Sequence, residues 1–236
     1  MTANGANAPP RTPVSHRLLW SFLVTVLIAI AILTVRSRLA GGGAIGEARR
    51  LPVLGEVPPF SLIERSGRAL TRDDLSDHVW IADFIFTRCA GICPVMTSSM
   101  SRIQEGLADA PSVRLVSVSV DPEWDTLEVL REYAEGVAAD SARWLFATGD
   151  KRAIYRLSQE GFRLGVADAE TTAQGVAFAG RDTAAAADAG DAVLHSSYFV
   201  LVDGQARIRG YYDGSDEKAV AQIARHARAL ERLGGR

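Results

Sequence analysis

An α/β domain behind a single membrane-spanning helix is the architecture that the sequence predicts. Three observations predict it: a charge-free apolar run near the amino terminus, strand-length apolar runs alternating with segments of helical period, and a cysteine pair where one such strand gives way to a helix. With 236 residues and 47% hydrophobic content, the chain suits one medium domain plus an accessory segment.

Residues 18–35 (LLWSFLVTVLIAIAILTV) carry no charge and lie between Arg17 and the pair Arg36 and Arg38. Eighteen such residues are long enough to span a bilayer. A buried core helix would be apolar along one stripe, whereas this run is apolar on every face. A cleaved signal peptide has a shorter core followed by small residues, whereas arginines follow here, so the run reads as an uncleaved anchor behind a tail of residues 1–17. Residues 36–50, which include Ala-Gly-Gly-Gly-Ala, read as a flexible tether, and the folded domain as residues 51–236. Residues 1–38 hold four arginines and no acids, which leaves 22 basic against 28 acidic residues in the remainder. No basic stripe for nucleic acid is present.

Within the domain, residues 60–63 and 68–70 flank Ser66-Gly67 as a hairpin, and Thr71 with Asp74 marks a short capped helix. The apolar run 79–86 is a strand. Residues 95–107 place apolar side chains at helical spacing, and 113–120 is a nearly continuous apolar run that suits a central strand buried on both faces. Residues 126–133 form a helix, 144–147 a strand and 151–159 a helix. The Ala-, Gly- and Asp-rich stretch 166–191 reads as a long mobile insertion. Residues 197–202 and 206–212 about Asp203-Gly204 form a hairpin, and 216–233 a last helix.

The only cysteines, Cys89 and Cys93, lie in FTRCAGICP directly after the strand 79–86. A strand that empties into a helix puts the first thiol near unpaired helical N–H groups, which favour the thiolate. Four residues apart, the two sulfurs would share one face if the segment is helical. The thiolate can attack a disulfide or bind a soft metal. An inert pair or a stabilising disulfide is the plain alternative, but a disulfide closing so short a loop adds little stability.

A β-α-β unit with cysteines at its strand-to-helix turn, followed by a hairpin and a last helix, describes a thioredoxin-like fold, here with an N-terminal hairpin extension. The spacing is Cys-x-x-x-Cys, and His195 stands before the terminal hairpin where thioredoxins place a cis-proline. FTRCAGICP at 86–94, VSVSVDPEWDT at 116–126 and His195 before SYFVLVDG together resemble the SCO/SenC family over residues 51–233. The resemblance implies a membrane-anchored copper metallochaperone for cytochrome c oxidase assembly. It would bind copper(I) or copper(II) through Cys89, Cys93 and His195, with an oxidase subunit and other copper carriers as partners. It also implies a single-pass protein of the cytoplasmic membrane with an extracytoplasmic domain and a cytoplasmic tail, although the arginines flanking the span mildly favour the opposite orientation. Two positions depart from the family pattern: Ala90 replaces a proline and Leu194 an aspartate.

On chemistry alone, two thiolates and an imidazole suit copper better than structural zinc, which wants four protein ligands. Asp121 and Asp125, after the central strand, would supply an oxygen to copper(II), hydrogen-bond the site, or cap the next helix. Met96 and Met100 read as core, and His16, His78 and His226 as solvated. The alternative function is thiol-disulfide exchange, with Cys89 attacking and Cys93 resolving. A peroxiredoxin-like peroxidase fits less well, because one residue rather than two separates Thr87 from Cys89.

Overall fold

The computed structural model describes residues 16–164 and 196–234. The chain divides into two compact units, Met1–Gly43 and Ala44–Arg236, with the boundary inside helix α1 (His16–Arg50). Within α1 every side chain from 19 to 34 is exposed, including Trp20, Phe22 and Leu33. Among the described residues no helix is long and apolar enough to cross a membrane; the span expected at 18–35 runs past the described side chains at both ends.

The stretch 36–50, expected to be a flexible tether, is instead helical. Its end is pinned: Ala48 is fully buried, and the Arg209 guanidinium donates to the carbonyls of Ala48 and Leu51. Such anchoring offsets the roughly 1 kcal/mol that each of Gly41, Gly42 and Gly43 costs a helix. Arg49 and Arg50 complement the dipole in the last turn, and Pro52 ends the helix.

The second unit is built on one eight-stranded sheet. Its strands are β1 (Gly55–Glu56), β2 (Ser61–Glu64), β3 (Ala69–Thr71), β4 (Trp80–Ile85), β5 (Arg114–Ser119), β6 (Trp144–Thr148), β7 (Tyr198–Val202) and β8 (Arg207–Asp213), in the order β1-β8-β7-β4-β5-β6-β2-β3. β4, β5 and β6 are parallel, which requires crossovers through α2 (Cys93–Gly106) and α3 (Leu127–Gly136). The hairpins at both edges pair antiparallel. β4 and β5 are buried on both faces, as their largely apolar runs lead one to expect. Ile81 and Ile85 face one core with Met96, Met100, Phe146 and Phe199, while Trp80, Ala82 and Phe84 face the other with Phe162 and Val200. Helices α4 (Lys151–Arg156), which continues into a π turn to Gly161, and α5 (Glu217–Gly234) complete the unit.

Four details depart from the sequence reading. β1 has two residues, too short to leave a pattern. Helix α2 begins at Cys93, because Pro94 is tolerated in a first turn whose N–H groups lack partners anyway. His226 is buried, not solvated: it lies on the α5 face with Ile223 and Leu230, its Nδ1 2.5 Å from the Tyr212 hydroxyl. His78 is half-buried, with Nδ1 2.9 Å from the Ser112 carbonyl. Residues 166–191 lie outside the described residues.

Candidate dithiol and metal site

β4 and β5 are adjacent parallel strands, and the segments leaving their C-terminal ends carry Cys89 on one side and Asp121 and Asp125 on the other. Cys89 belongs to no helix; it sits in a turn closed by its own N–H donating to the Phe86 carbonyl at 3.2 Å. Cys93 is the first residue of α2, so the two cysteines do not share a helical face as the spacing suggested. Both are thiols and nearly buried, with 9% and 4% of their surface exposed, so a partner must approach closely to reach them.

The two sulfurs are electrostatically unequal. Burial alone would raise the Cys89 thiol, but the N–H of Cys93, the Cys93 thiol and the N–H groups of Gly91 and Ile92 outweigh it and hold the group below the ordinary 9.0. The Gly91 N–H lies 3.4 Å from Sγ. The amides of Ile92 and Cys93 are the N-cap and first residue of α2, so the helix terminus helps stabilise the thiolate of the cysteine that precedes it. Cys93 moves the other way: burial, then its hydrogen bond to Cys89, then the charges of Cys89 and Asp83 push it up to about 12. The surroundings therefore favour ionisation of Cys89 over that of Cys93.

Asp125 is fully buried. It accepts from the Thr87 hydroxyl at 2.5 Å, from the Thr87 N–H at 3.2 Å and from the Ser119 hydroxyl at 2.5 Å. Helix capping, one sequence alternative, falls to Thr126, whose hydroxyl accepts from the Val129 N–H. Asp121 accepts from Arg88 Nε at 2.9 Å, and the Arg88 guanidinium stacks 5.0 Å above the half-exposed Trp124 ring. The two carboxylates hold Thr87 and Arg88, just before Cys89. The Arg88 pair is open to solvent and stabilises by about 0–1 kcal/mol, whereas hydrogen bonds to a buried charge contribute roughly 1.5–3 kcal/mol each.

Sequence reasoning missed Asp83. It is 1% exposed on β4, opposite Ser117 of β5, and neither carboxyl oxygen makes a hydrogen bond of normal geometry to a described residue. The signal was available as a lone acid inside the apolar run WIADFI. Its charge is felt at Cys93 and at Tyr133, whose hydroxyl lies 2.7 Å from Thr97 Oγ1. Met96 and Met100 are core residues, as expected.

The donor chemistry suits a soft ion: two thiols within hydrogen-bonding reach of each other. Among the described residues no group of three or more His, Cys, Asp and Glu side chains could hold a metal, and His195, the expected third ligand, lies outside them.

The SCO1/SenC family model matches residues 54–231. The chain belongs to the SCO1/SenC family. The SCO1 protein homolog of Bacillus subtilis is 30% identical over 190 residues, 80% of this chain and 89% of the relative. The solved structure of BsSco, described as a Sco-family cytochrome c oxidase assembly protein with a disulfide switch, is 30% identical, with a TM-score of 0.62 over 78% of this chain and 99% of that one. Bradyrhizobium japonicum ScoI with copper bound gives 0.52 at 22% identity, over 72% and 99%, which supports the shared fold. The SCO1/SenC match spans both cysteines and the β4–α2–β5 unit that presents them, and with the fold of BsSco it bears out the thioredoxin-like architecture.

Proposed function

We propose that this chain is a membrane-anchored copper metallochaperone, which binds one copper ion and helps load or reduce the copper centre of a respiratory cytochrome c oxidase. The observation that carries the reading is the unequal dithiol: the chain's only two sulfhydryls meet at the C-terminal end of the central strands, where the surroundings lower the pKa of one and raise that of the other. Cys89, Cys93 and His195 would hold the ion, which is cargo. Thiolate sulfur selects copper(I), and imidazole accepts either oxidation state. Cys89 engages first because its thiolate is the cheaper to form, and Cys93 must give up its proton, so binding releases protons. Family membership and the relatives described as oxidase assembly proteins or as copper-bound support the reading.

The exposed apolar side chains of 19–34 support an anchor, since such a surface is costly in water. The anchor is residues 18–35 in the cytoplasmic membrane, with residues 1–17 cytoplasmic and the domain extracytoplasmic. The recipient is a copper-containing oxidase subunit, and other copper carriers supply the ion.

A second reading, thiol-disulfide exchange on extracytoplasmic dithiols, is favoured by the same asymmetry: an attacking thiol with lowered pKa beside a resolving one with raised pKa. His195 separates the two. In a metallochaperone, His195→Ala weakens copper binding by about 10-fold or more and fails to restore oxidase assembly in cells lacking the parent, while its dithiol still exchanges with a small-molecule disulfide. Full rescue by His195→Ala alongside failure of Cys93→Ser would instead establish exchange as the function.

A further inference from the structure

We propose that Asp125 is a positioning residue for the dithiol, a buried carboxylate that sets, through Thr87, where Cys89 sits relative to Cys93. The proposal deepens the copper reading and rests on it for the identity of the ion. Cys93 is fixed by the first turn of α2, but Cys89 stands on a turn with no regular structure, so the geometry of the pair depends on whatever holds that turn. The bonds from the Cys89 N–H to Phe86 and from the Gly91 N–H to the sulfur lie within the turn and move with it.

Two ties connect the turn to β5 and the segment after it: Asp121 to Arg88 and Asp125 to Thr87. The first is weak as a constraint, because the Arg88 side chain is 55% exposed and solvent competes for its partner. In the second the Asp125 carboxylate is fully buried and Thr87 half-buried, and the carboxylate grips both the backbone and the hydroxyl of Thr87. Its rotamer is fixed in turn by Ser119, which donates to Asp125 while its Oγ accepts from the Asp121 N–H at 3.1 Å. Moving Thr87 away would leave a buried carboxyl short of two donors, which holds the turn in place. The carboxylate makes no capping bond that would explain it otherwise; its hydrogen bonds among the described residues run to Thr87 and Ser119.

The test uses the full chain in detergent and two readouts: copper(I) affinity by competition with a chromophoric chelator, and the dithiol-disulfide equilibrium against dithiothreitol. Thr87→Val, which keeps shape and removes the hydroxyl, and Asp125→Asn should each weaken copper(I) binding by about 10-fold or more. Each should also move the exchange constant by about tenfold, or about 30 mV. Thr87→Ser restores the donor and should match the parent in both. Leu70→Ala, a core truncation in β3, controls for lost stability and should leave both readouts in place. Parental values for Thr87→Val and Asp125→Asn, or equal losses in Leu70→Ala, would overturn the proposal. If Asp125→Asn does not fold, Thr87→Val decides. A parent that binds no copper refutes the copper reading, and the exchange constant then decides the positioning role alone.

Discussion

Asp83→Asn should flatten the pH dependence of stability. Burial raises the Asp83 carboxyl from the ordinary 3.8 to about 7, and the nearby Ser117 hydroxyl, although not in normal hydrogen-bond geometry, opposes the shift without cancelling it. Ser117 Oγ already accepts from Trp144 Nε1 at 2.9 Å, which constrains how its proton can turn toward the carboxyl. Between those two pH values the folded protein retains a proton that the unfolded chain has lost, so unfolding releases one proton. Stability is therefore greatest below the unfolded value and falls as pH rises through the folded one. At about 1.4 kcal/mol per pH unit, the loss across the window is about 4 kcal/mol, an order-of-magnitude figure.

The assay is urea unfolding of a fragment covering Ala44–Arg236, the second compact unit, kept reduced and measured from pH 4 to pH 8.5 in parent and variant. The asparagine lacks the titration, so groups common to both chains cancel in the difference. That difference should move in the variant's favour by several kcal/mol between pH 4 and pH 8 and level off above. An amide left without hydrogen bonds shifts the whole curve but not its slope. Parallel pH profiles would refute the reasoning, because they would mean that the carboxyl ionises at its ordinary pH with a partner or water at hand.

Gly214→Ala should destabilise the domain by about 1–3 kcal/mol, because an added Cβ would lie 2.2 Å from the Met96 sulfur and 2.9 Å from the Phe199 ring; chemical denaturation reads the loss. For topology, a reporter enzyme active only in the cytoplasm should stay silent when fused after Arg236, and a signal there would place the domain on the cytoplasmic side.

Much of the fold was legible because the strongest signals are local. The nearly continuous apolar runs of β4 and β5 suit strands covered on both faces, and Asp203-Gly204 marks the loop of the terminal hairpin. The cysteine pair was legible as chemistry but not as geometry: four-residue spacing suggests a shared helical face, and only the structure shows that the helix starts at the second cysteine. His226 was misread because its sequence neighbours include Arg225 and Arg228, although its spacing to Ile223 and Leu230 put it on the buried face. The tether was misread because propensity cannot see Arg209, which reaches back across 158 residues to hold the helix end.

The two buried carboxylates near the dithiol show why the rest of the site was hidden. Asp125 is satisfied by residues 38 and 6 positions away, so its role follows from a pairing that no periodicity encodes. Asp83 lies on a central strand with no comparable partners, and its burial shows up instead as a displaced titration. Asp125 is met by three donors, the N–H and hydroxyl of Thr87 and the hydroxyl of Ser119, and can therefore hold a loop. The other meets its burial by keeping a proton until about pH 7, and once ionised it adds negative charge beside Cys93, which discourages that thiol from ionising in turn. The two thiols thus differ for two separable reasons: helix amides act on Cys89, while burial and neighbouring charge act on Cys93. A substitution at Asp83 should accordingly change Cys93 far more than Cys89, whereas loosening Thr87 should disturb the geometry of the pair.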